Sequence, residues 1–549
     1  MAATQRPDLA TAASNISHRQ VLVIFSGLML GMLLAALDQT IVATALPTIV
    51  GDVGGLDHLA WVVTAYLLAT TVSTPIYGKL GDLYGRKRLF QIAIVIFLVG
   101  SVLCGLATTM GQLITFRFLQ GLGAGGLLVG AQAIIADVVS PRERGRYQGF
   151  FGAVFGAASV AGPLLGGFFT DHLTWRWVFY VNIPLGLAAL VVTSVVLPRS
   201  VRRQNVVIDV AGSMLLTMAI TCIVLVTTWG GNEYAWSSPV IVGLVAGAAG
   251  LAAMFFLVER RAVEPVLPLR LFADRTFNLA SAISFIVGVA MFGVISFLPL
   301  FLQVASGASA TDSGLLLVPL MAGLLTSSIL SGQLITRTGR YRIFPIAGMG
   351  VASLGMALLS TMGAATPTIV TSAYMAIVGV GLGMVMQVLI LATQNSVPVR
   401  DLGVATSSVS FFRSVGGSIG VALFGAVFSS RLATELAGLR STLGGDPGDL
   451  APQAVQALPD GVRADYITGF ADALTGVFLL AVPLMLVGFG LTWLLRDVPL
   501  RTSAAVGAAP PRSQPDAAES VAPAPLAAAH TVSTASTYAD STNTAPSHT

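Results

Sequence analysis

The chain has 549 residues, 55% of them apolar and only 10% charged, whereas a soluble domain carries about a quarter charged residues, so a water-soluble globular protein is excluded. A formal charge of +4 and a pI near 9.2 would suit a nucleic-acid binder only if the basic residues formed one face of a soluble domain, and the sequence contains no such domain. Instead, apolar runs of roughly 20 residues, the length of a helix that crosses a hydrocarbon core, recur from Val21 to Leu495.

In chain order the predicted spans are 21-44, 59-78, 89-108, 112-136, 149-170, 177-197, 208-229, 239-258, 277-302, 313-335, 344-363, 368-393, 404-428 and 472-495. The first resembles a secretory signal in offering Ala43-Thr44-Ala45 after an apolar run. It is long, contains Asp38, continues into Leu46-Pro47 and precedes many further spans, so it is expected to remain as an uncleaved first helix. Segment 1-20 is then a cytoplasmic N-terminal piece. The loop 429-471 is the long external connection. The tail 502-549, rich in Ala, Ser, Thr and Pro, cannot bury a core and is expected to be disordered and cytoplasmic.

Charge tests this count, because a missed span would scramble the side on which Lys and Arg accumulate. One set of loops holds Lys79, Arg86, Lys87 and Arg88, then Arg142, Arg144 and Arg146, then Arg199, Arg202 and Arg203. The same side continues with Arg260, Arg261, Arg270 and Arg275, then Arg337, Arg340 and Arg342, then Arg400. The opposite loops carry Arg176, Arg431, Arg440 and Arg463. Both termini are therefore expected in the cytoplasm. Only Lys79 and Lys87 stand against 27 arginines among the 29 basic residues, and with the Ala and Gly excess this suggests a GC-rich bacterial source and hence the bacterial cytoplasmic membrane. Cys104 and Cys222 fall in different apolar runs, which argues against a disulfide framework or a metal cluster.

The chain repeats itself. Gly78 to Arg88 recurs, shifted by 254, as Gly332 to Arg342, matching at both glycines and two arginines. Gly121, Gly123, Gly125, Arg142 and Gly145 recur, shifted by 258, as Gly379, Gly381, Gly383, Arg400 and Gly403. Two six-helix bundles, 21-197 and 277-495, thus flank an unmatched pair at 208-258. The expected fold is an all-α integral membrane protein of fourteen helices in a 6+2+6 plan, suited to alternating access about a site between the halves.

Gly78-Lys79-Leu80-Gly81-Asp82-Leu83-Tyr84-Gly85-Arg86-Lys87-Arg88 resembles the loop signature of the major facilitator superfamily. Leu37-Asp38-Gln39-Thr40-Ile41-Val42, Arg117-Phe118-Leu119-Gln120-Gly121-Leu122-Gly123, Gly162-Pro163-Leu164-Leu165-Gly166-Gly167 and Trp175-Arg176-Trp177 through Asn182-Ile183-Pro184 resemble motifs of its fourteen-span drug:proton antiporter branch. The resemblance covers roughly residues 20 to 497. It implies multidrug efflux driven by protons. It also implies that Gly78, Asp82, Gly85 and Arg86 latch the halves when the transporter faces outward, and that the arginine matching Arg117 takes part in proton transfer.

Read physically, Asp38 lies deep in an apolar helix, where a carboxylate is expensive and usually retained for function. An acid exposed alternately to two environments can load and release a proton. Arg117 is predicted at matching depth and, since arginine stays charged, is assigned to tuning Asp38; a static ion pair between spans 1 and 4 is the alternative. Asp82 can cap a helix N-terminus, and Thr336 replaces it in the second half, so the second latch is expected to be weaker. Gly162-Pro163 is expected to interrupt span 5, with Gly166 and Gly167 keeping its surface flat. Gln120, Gln387, Gln394 and Asn395 are candidates to line a cavity, interhelical hydrogen bonding being their commoner use. Arg413 lacks an evident carboxylate partner, since Asp312 and Asp472 are placed near outer helix ends; its partner is left as a hydroxyl, a carbonyl or an anionic substrate.

No Walker loop, zinc-ligand motif or serine elbow occurs, so a gradient is expected to supply the energy, with no cofactor, no metal and no enzymatic activity. The expected function is proton-coupled export of small amphipathic compounds, a single copy sufficing within membrane lipids. The alternative is export of a lipid or glycolipid envelope precursor, with spans 7 and 8 forming a lateral entry.

Overall fold

The structure is a computed structural model that describes residues 18–53, 59–197, 209–231, 233–305, 307, 315–439 and 455–500. The disordered-tail expectation for 502-549, Asp312, Arg199, Arg202, Arg203 and Arg440 lie outside these residues. Everything below concerns the compact unit that contains the helices.

The helices are α1 (His18–Val53), α2 (Leu59–Tyr84), α3 (Arg86–Leu106), α4 (Met110–Val138), α5 (Pro141–His172), α6 (Trp177–Tyr180), α7 (Asn182–Val196), α8 (Val210–Trp229), α9 (Pro239–Glu259), α10 (Arg275–Ala305), α11 (Val318–Thr338), α12 (Ile343–Leu359), α13 (Thr368–Ser396), α14 (Leu402–Glu435) and α15 (Asp460–Trp493). Among the described residues, twelve helical segments are long and apolar enough to cross a membrane, α6 and α7 together forming one of them. The chain is thus a multi-pass membrane protein of helical fold. The predicted spans 59-78 and 344-363 also fold as helices, α2 and α12, the latter only 17 residues long.

Several boundaries differ from the sequence reading. Helix α1 runs nine residues past 44, to Val53, so Asp38 sits farther inside its helix than the hydropathy suggested. Helix α14 extends to Glu435 and α15 begins at Asp460, which shortens the predicted 429-471 loop and places Asp472 well within a helix instead of at its end. Helix α5 is continuous through residues 162–163, so the predicted interruption there is not seen. Small residues let α5 press on α1: a Cβ on Gly162 would meet Thr40 Oγ1 at 2.1 Å, and one on Gly166 would meet Thr44 Oγ1 at 2.0 Å. Thr40 Oγ1 donates across this contact to the Ala158 carbonyl (2.9 Å), so polar groups and close approach bind the segment to α1. Gly167 meets nothing within 4 Å and does not contribute to that seam.

The repeat read from the sequence is matched by the packing. Within the first half α2 packs on α4, α3 on α4, α1 on α5 and α1 on α7; within the second, α11 packs on α13, α12 on α13, α10 on α14 and α10 on α15. Gly85 and its counterpart Gly339 both take positive φ, 96° and 72°, where a side chain would be strained. The unmatched hairpin sits at the seam between the halves: α8 touches α2 and α14, while α9 packs on α8 and is largely exposed.

The halves meet at the end that carries the basic loops. A Cβ on Gly78 of α2 would meet the Gly403 carbonyl of α14 at 2.8 Å. Under the offsets of 254 and 258 this contact maps onto Gly332 of α11 and Gly145 of α5, where a Cβ on Gly332 would meet the Gly145 carbonyl at 2.0 Å. The two crossings are the same contact made twice. The segment between α9 and α10 adds ion pairs at this end, Lys79 to Glu264 (2.6 Å) and Arg270 to Asp401 (2.7 Å).

Candidate functional site

Asp38 and Arg117 are brought together. Arg117 Nη1 lies 2.5 Å from Asp38 Oδ2, with the side chains 1% and 0% exposed. Asp38 Oδ1 accepts from Gln120 Nε2 (2.7 Å) and Asn182 Nδ2 (3.1 Å). Ser101 Oγ accepts from the same two amides, at 2.6 and 3.1 Å. Gln120 Oε1 accepts from Arg117 Nη1 (2.9 Å) and from Cys104 Sγ (3.6 Å). The guanidinium stacks 4.1 Å over the Tyr66 ring, and Tyr66 donates its hydroxyl to the Ala35 carbonyl (3.0 Å).

Five helices build this network, and the spacing of each explains its geometry. Arg117 and Gln120 are three apart on α4, and Ser101 and Cys104 three apart on α3, so each pair shares a face. Asn182 opens α7, where the short α6 turns the chain inward. The closed surroundings make any unpaired member of the network costly.

Gln120 was a cavity candidate; it is fully buried and serves as a ligand of Asp38 instead. Asn182 belongs to one of the quoted motifs but has no role assigned by it, and Cys104 stands in an apolar run with nothing in the sequence to mark it. Ser101 and Tyr66 were not singled out: a serine or tyrosine in an apolar run carries no sequence signal that it meets a carboxylate from another helix. By the repeat offsets, Phe292 and Met375 stand where Asp38 and Arg117 are, and Val378 where Gln120 is. Met375 and Val378 are 0% and 1% exposed, so the second half fills the equivalent space with apolar side chains.

The second cluster lies at the basic-loop end. Asp82 Oδ1 and Oδ2 accept from the Gly403 and Val404 amides (3.1 and 3.0 Å), which are orphan donors in the first turn of α14. Arg86 Nη2 holds Asp82 Oδ1 at 2.7 Å while Nη1 reaches Asp137 Oδ1 at 2.5 Å. The first half thus caps a helix of the second, satisfying donors and dipole together. On the symmetric side Thr336 turns its hydroxyl to its own helix, to Gly332 O (2.9 Å), and Arg142 Nε reaches the Thr336 carbonyl (3.2 Å). That crossing has no carboxylate cap. Replacing Asp82 by Ala is expected to remove roughly 1 kcal/mol of capping, about a fivefold rise in hydrogen exchange at the Gly403 and Val404 amides; unchanged exchange there would show that the cap does not hold the crossing.

At the opposite end, Asp52 accepts from Trp175 Nε1 (2.8 Å) and Arg176 Nη1 (3.1 Å). These bonds hold its carboxyl below the usual range, so it stays ionised at neutral pH and ties the end of α1 to the turn before α6.

The remaining candidates separate. Gln394 Nε2 donates to Thr406 Oγ1 (2.9 Å) while its Oε1 has no partner, and Asn395 Nδ2 reaches the Val498 and Pro499 carbonyls, both at 3.4 Å; these two bind helix to helix or to the following segment. Gln387 is 5% exposed, with Oε1 unpartnered. Arg413 is half-buried. The side chain of Pro163 is outside the described residues. Among the described residues no cluster of His, Cys, Asp and Glu could hold a metal.

The sequence profile of the Major Facilitator Superfamily matches residues 28–421. An uncharacterized MFS-type transporter of Mycobacterium tuberculosis (strain ATCC 25618 / H37Rv) is 47% identical over 479 residues, 87% of this chain and 70% of that one. The Multidrug transporter protein MdtP of Bacillus subtilis (strain 168) is 38% identical over 508 residues, 87% of this chain and 93% of that one. Among solved structures, the major facilitator superfamily proton:xylose symporter XylE bound to 6-bromo-6-deoxy-D-glucose aligns with a TM-score of 0.55 at 15% identity, covering 85% of this chain and 95% of that one, a likeness of fold. Repeat, crossings and motifs agree with these matches: the chain belongs to the Major Facilitator Superfamily and resembles its multidrug efflux transporters.

Proposed function

We propose that this protein is a proton-coupled antiporter that exports small amphipathic compounds across a bacterial cytoplasmic membrane by alternating access. One observation carries the reading: a carboxylate at 0% exposure in the transmembrane interior, paired with one arginine and hydrogen-bonded by two amides from other helices. Such an acid is too expensive to keep as packing, and its partners come from helices that must shift if it gains a proton.

The contacts at Gly78, Asp82, Gly145 and Gly332 close the basic-loop end, which the positive-inside bias assigns to the cytoplasm. This arrangement corresponds to an outward-facing state. A proton from outside neutralises Asp38, Arg117 is released from its pair, α1 and α4 shift, and the basic end opens for substrate; deprotonation toward the cytoplasm restores the pair. No step needs ATP or a cofactor. Full-length protein in liposomes, given an imposed pH gradient and labelled cationic, neutral and anionic compounds, is expected to move compound and protons in opposite directions. Compound movement indifferent to the gradient would refute coupling; transport confined to lipid-like probes would favour the envelope-precursor alternative.

The reading includes fourteen spans with both termini cytoplasmic, so the α8–α9 turn lies outside. In a chain lacking Cys104 and Cys222, cysteine at Glu233 is expected to react with an impermeant maleimide from outside and cysteine at Arg261 only from inside. Labelling of both from one side would remove the inserted pair from the membrane.

A further inference from the structure

Arg413 lies 11 residues beyond the start of α14, about 16 Å along its axis and near the bilayer centre. Its side chain makes no hydrogen bond, ion pair or ring contact with any described residue. Residues 401–410 are all buried, 411–415 are half-buried, and Gly416 and Gly417 are buried again. For one turn, then, α14 borders accessible space. That space is not the lipid face, because the neighbours of Arg413 on its own stripe, Ser410, Gly416 and Gly417, are buried against other helices, Gly416 on Phe285 and Gly417 on Phe292.

Helical register shows what else borders it. The Gln394–Thr406 hydrogen bond fixes α13 against α14. Seven residues from each, two turns in the same direction because α13 runs toward the basic end and α14 away from it, stand Gln387 and Arg413. Gln387 Oε1 and Ser410 Oγ are both buried and unpartnered, the residues being 5% and 8% exposed. An unpaired guanidinium, an amide and a hydroxyl thus share one depth on the packed helices α13 and α14, where Phe292 lies against Gly417.

We propose that Arg413, with Ser410 and Gln387, is the subsite for the carboxylate of an amphipathic organic acid. The guanidinium fork matches a carboxylate in two parallel hydrogen bonds. The Ser410 hydroxyl donates a third, and the Gln387 amide serves either the carboxylate or a neighbouring donor on the compound. The carboxylate of Asp38 is taken by Arg117 and cannot neutralise Arg413, so an anionic compound does so and a cationic one is repelled. The inference rests on the export reading for its biological direction, but the site itself is tested by binding. Exchange of one such anion outward for one proton inward carries two net positive charges inward, so this export is accelerated by an inside-negative potential.

The test uses full-length protein in phosphatidylcholine nanodiscs and equilibrium dialysis of labelled 1-naphthoate, its methyl ester and 1-naphthylmethylammonium. Wild type is expected to prefer the carboxylate at least tenfold over the ammonium. Arg413→Gln is expected to lose that preference by at least tenfold while binding the neutral ester as before, and Arg413→Lys to recover part of it. No carboxylate binding by wild type, or equal loss of all three compounds in Arg413→Gln, overturns the proposal. Loss of naphthoate binding in phosphatidylglycerol nanodiscs would assign the site to a lipid phosphate and overturn the organic-acid assignment. Carboxylate binding that depends on Arg413 but is not followed by gradient-driven transport upholds the subsite and refutes the export reading.

Discussion

Asp38→Asn is expected to reduce pH-gradient-driven efflux at least a hundredfold, to the background of empty liposomes. Asparagine keeps the size of the side chain and can still accept from Gln120 and Asn182, but it neither ionises nor neutralises Arg117, whose Nη1 lies 2.5 Å away. Breaking one partner of a buried pair typically costs about 3–5 kcal/mol, so this variant alone confounds lost coupling with lost stability. The double variant Asp38→Asn/Arg117→Gln separates the two. It removes both charges, leaves no orphan in the apolar interior, and is expected to insert and melt close to wild type while remaining uncoupled. Gradient-driven efflux by a well-inserted double variant would show that the pair only pins α1 to α4.

The second large effect is expected at a residue with no polar atom in its side chain. Gly332→Val should slow transport at least tenfold, because its Cβ would fall 2.0 Å from the Gly145 carbonyl. That neighbour is backbone and cannot swing aside, so α5 and α11 must part at the basic end and the closed crossing is lost. Ser328, 2% exposed and facing Gly152 across the same crossing, reports on it. In a chain lacking Cys104 and Cys222, cysteine at 328 is expected to be protected in wild type and labelled from the basic-loop side in Gly332→Val. Gly250→Ala on α9, where an added Cβ meets nothing within 4 Å, is the matched control and should be silent. Protection and rate unchanged in Gly332→Val would mean that this contact does not gate the path.

Composition, the charge alternation of Lys79 through Arg400, and the offsets of 254 and 258 were legible without coordinates, because a bilayer imposes long apolar helices and a duplicated half repeats its glycines wherever backbones touch. The same logic made Asp38 and Arg117 visible: a charge in an apolar run is conspicuous on its own. Helix ends were less visible. Interfacial residues such as Asp52 or Asp460 lower the hydropathy without ending a helix, so α1, α14 and α15 outrun their predicted spans, and Gly162-Pro163 stands within a continuous helix, Gly162 lying against Thr40.

Which uncharged groups complete each site was decided only in three dimensions. Gln120 and Gln387 look alike in sequence, a glutamine in an apolar helix, yet one is locked onto Asp38 and the other is left with an unpartnered oxygen. Asp82 is an acid in a loop motif until Gly403, more than three hundred residues away, presents its amide. Local sequence thus determined the solvent, the helices, the duplication and the buried charges, because each depends on side-chain type alone. The tertiary structure determined the partners of those charges, because hydrogen bonds between helices depend on which faces the fold turns toward each other.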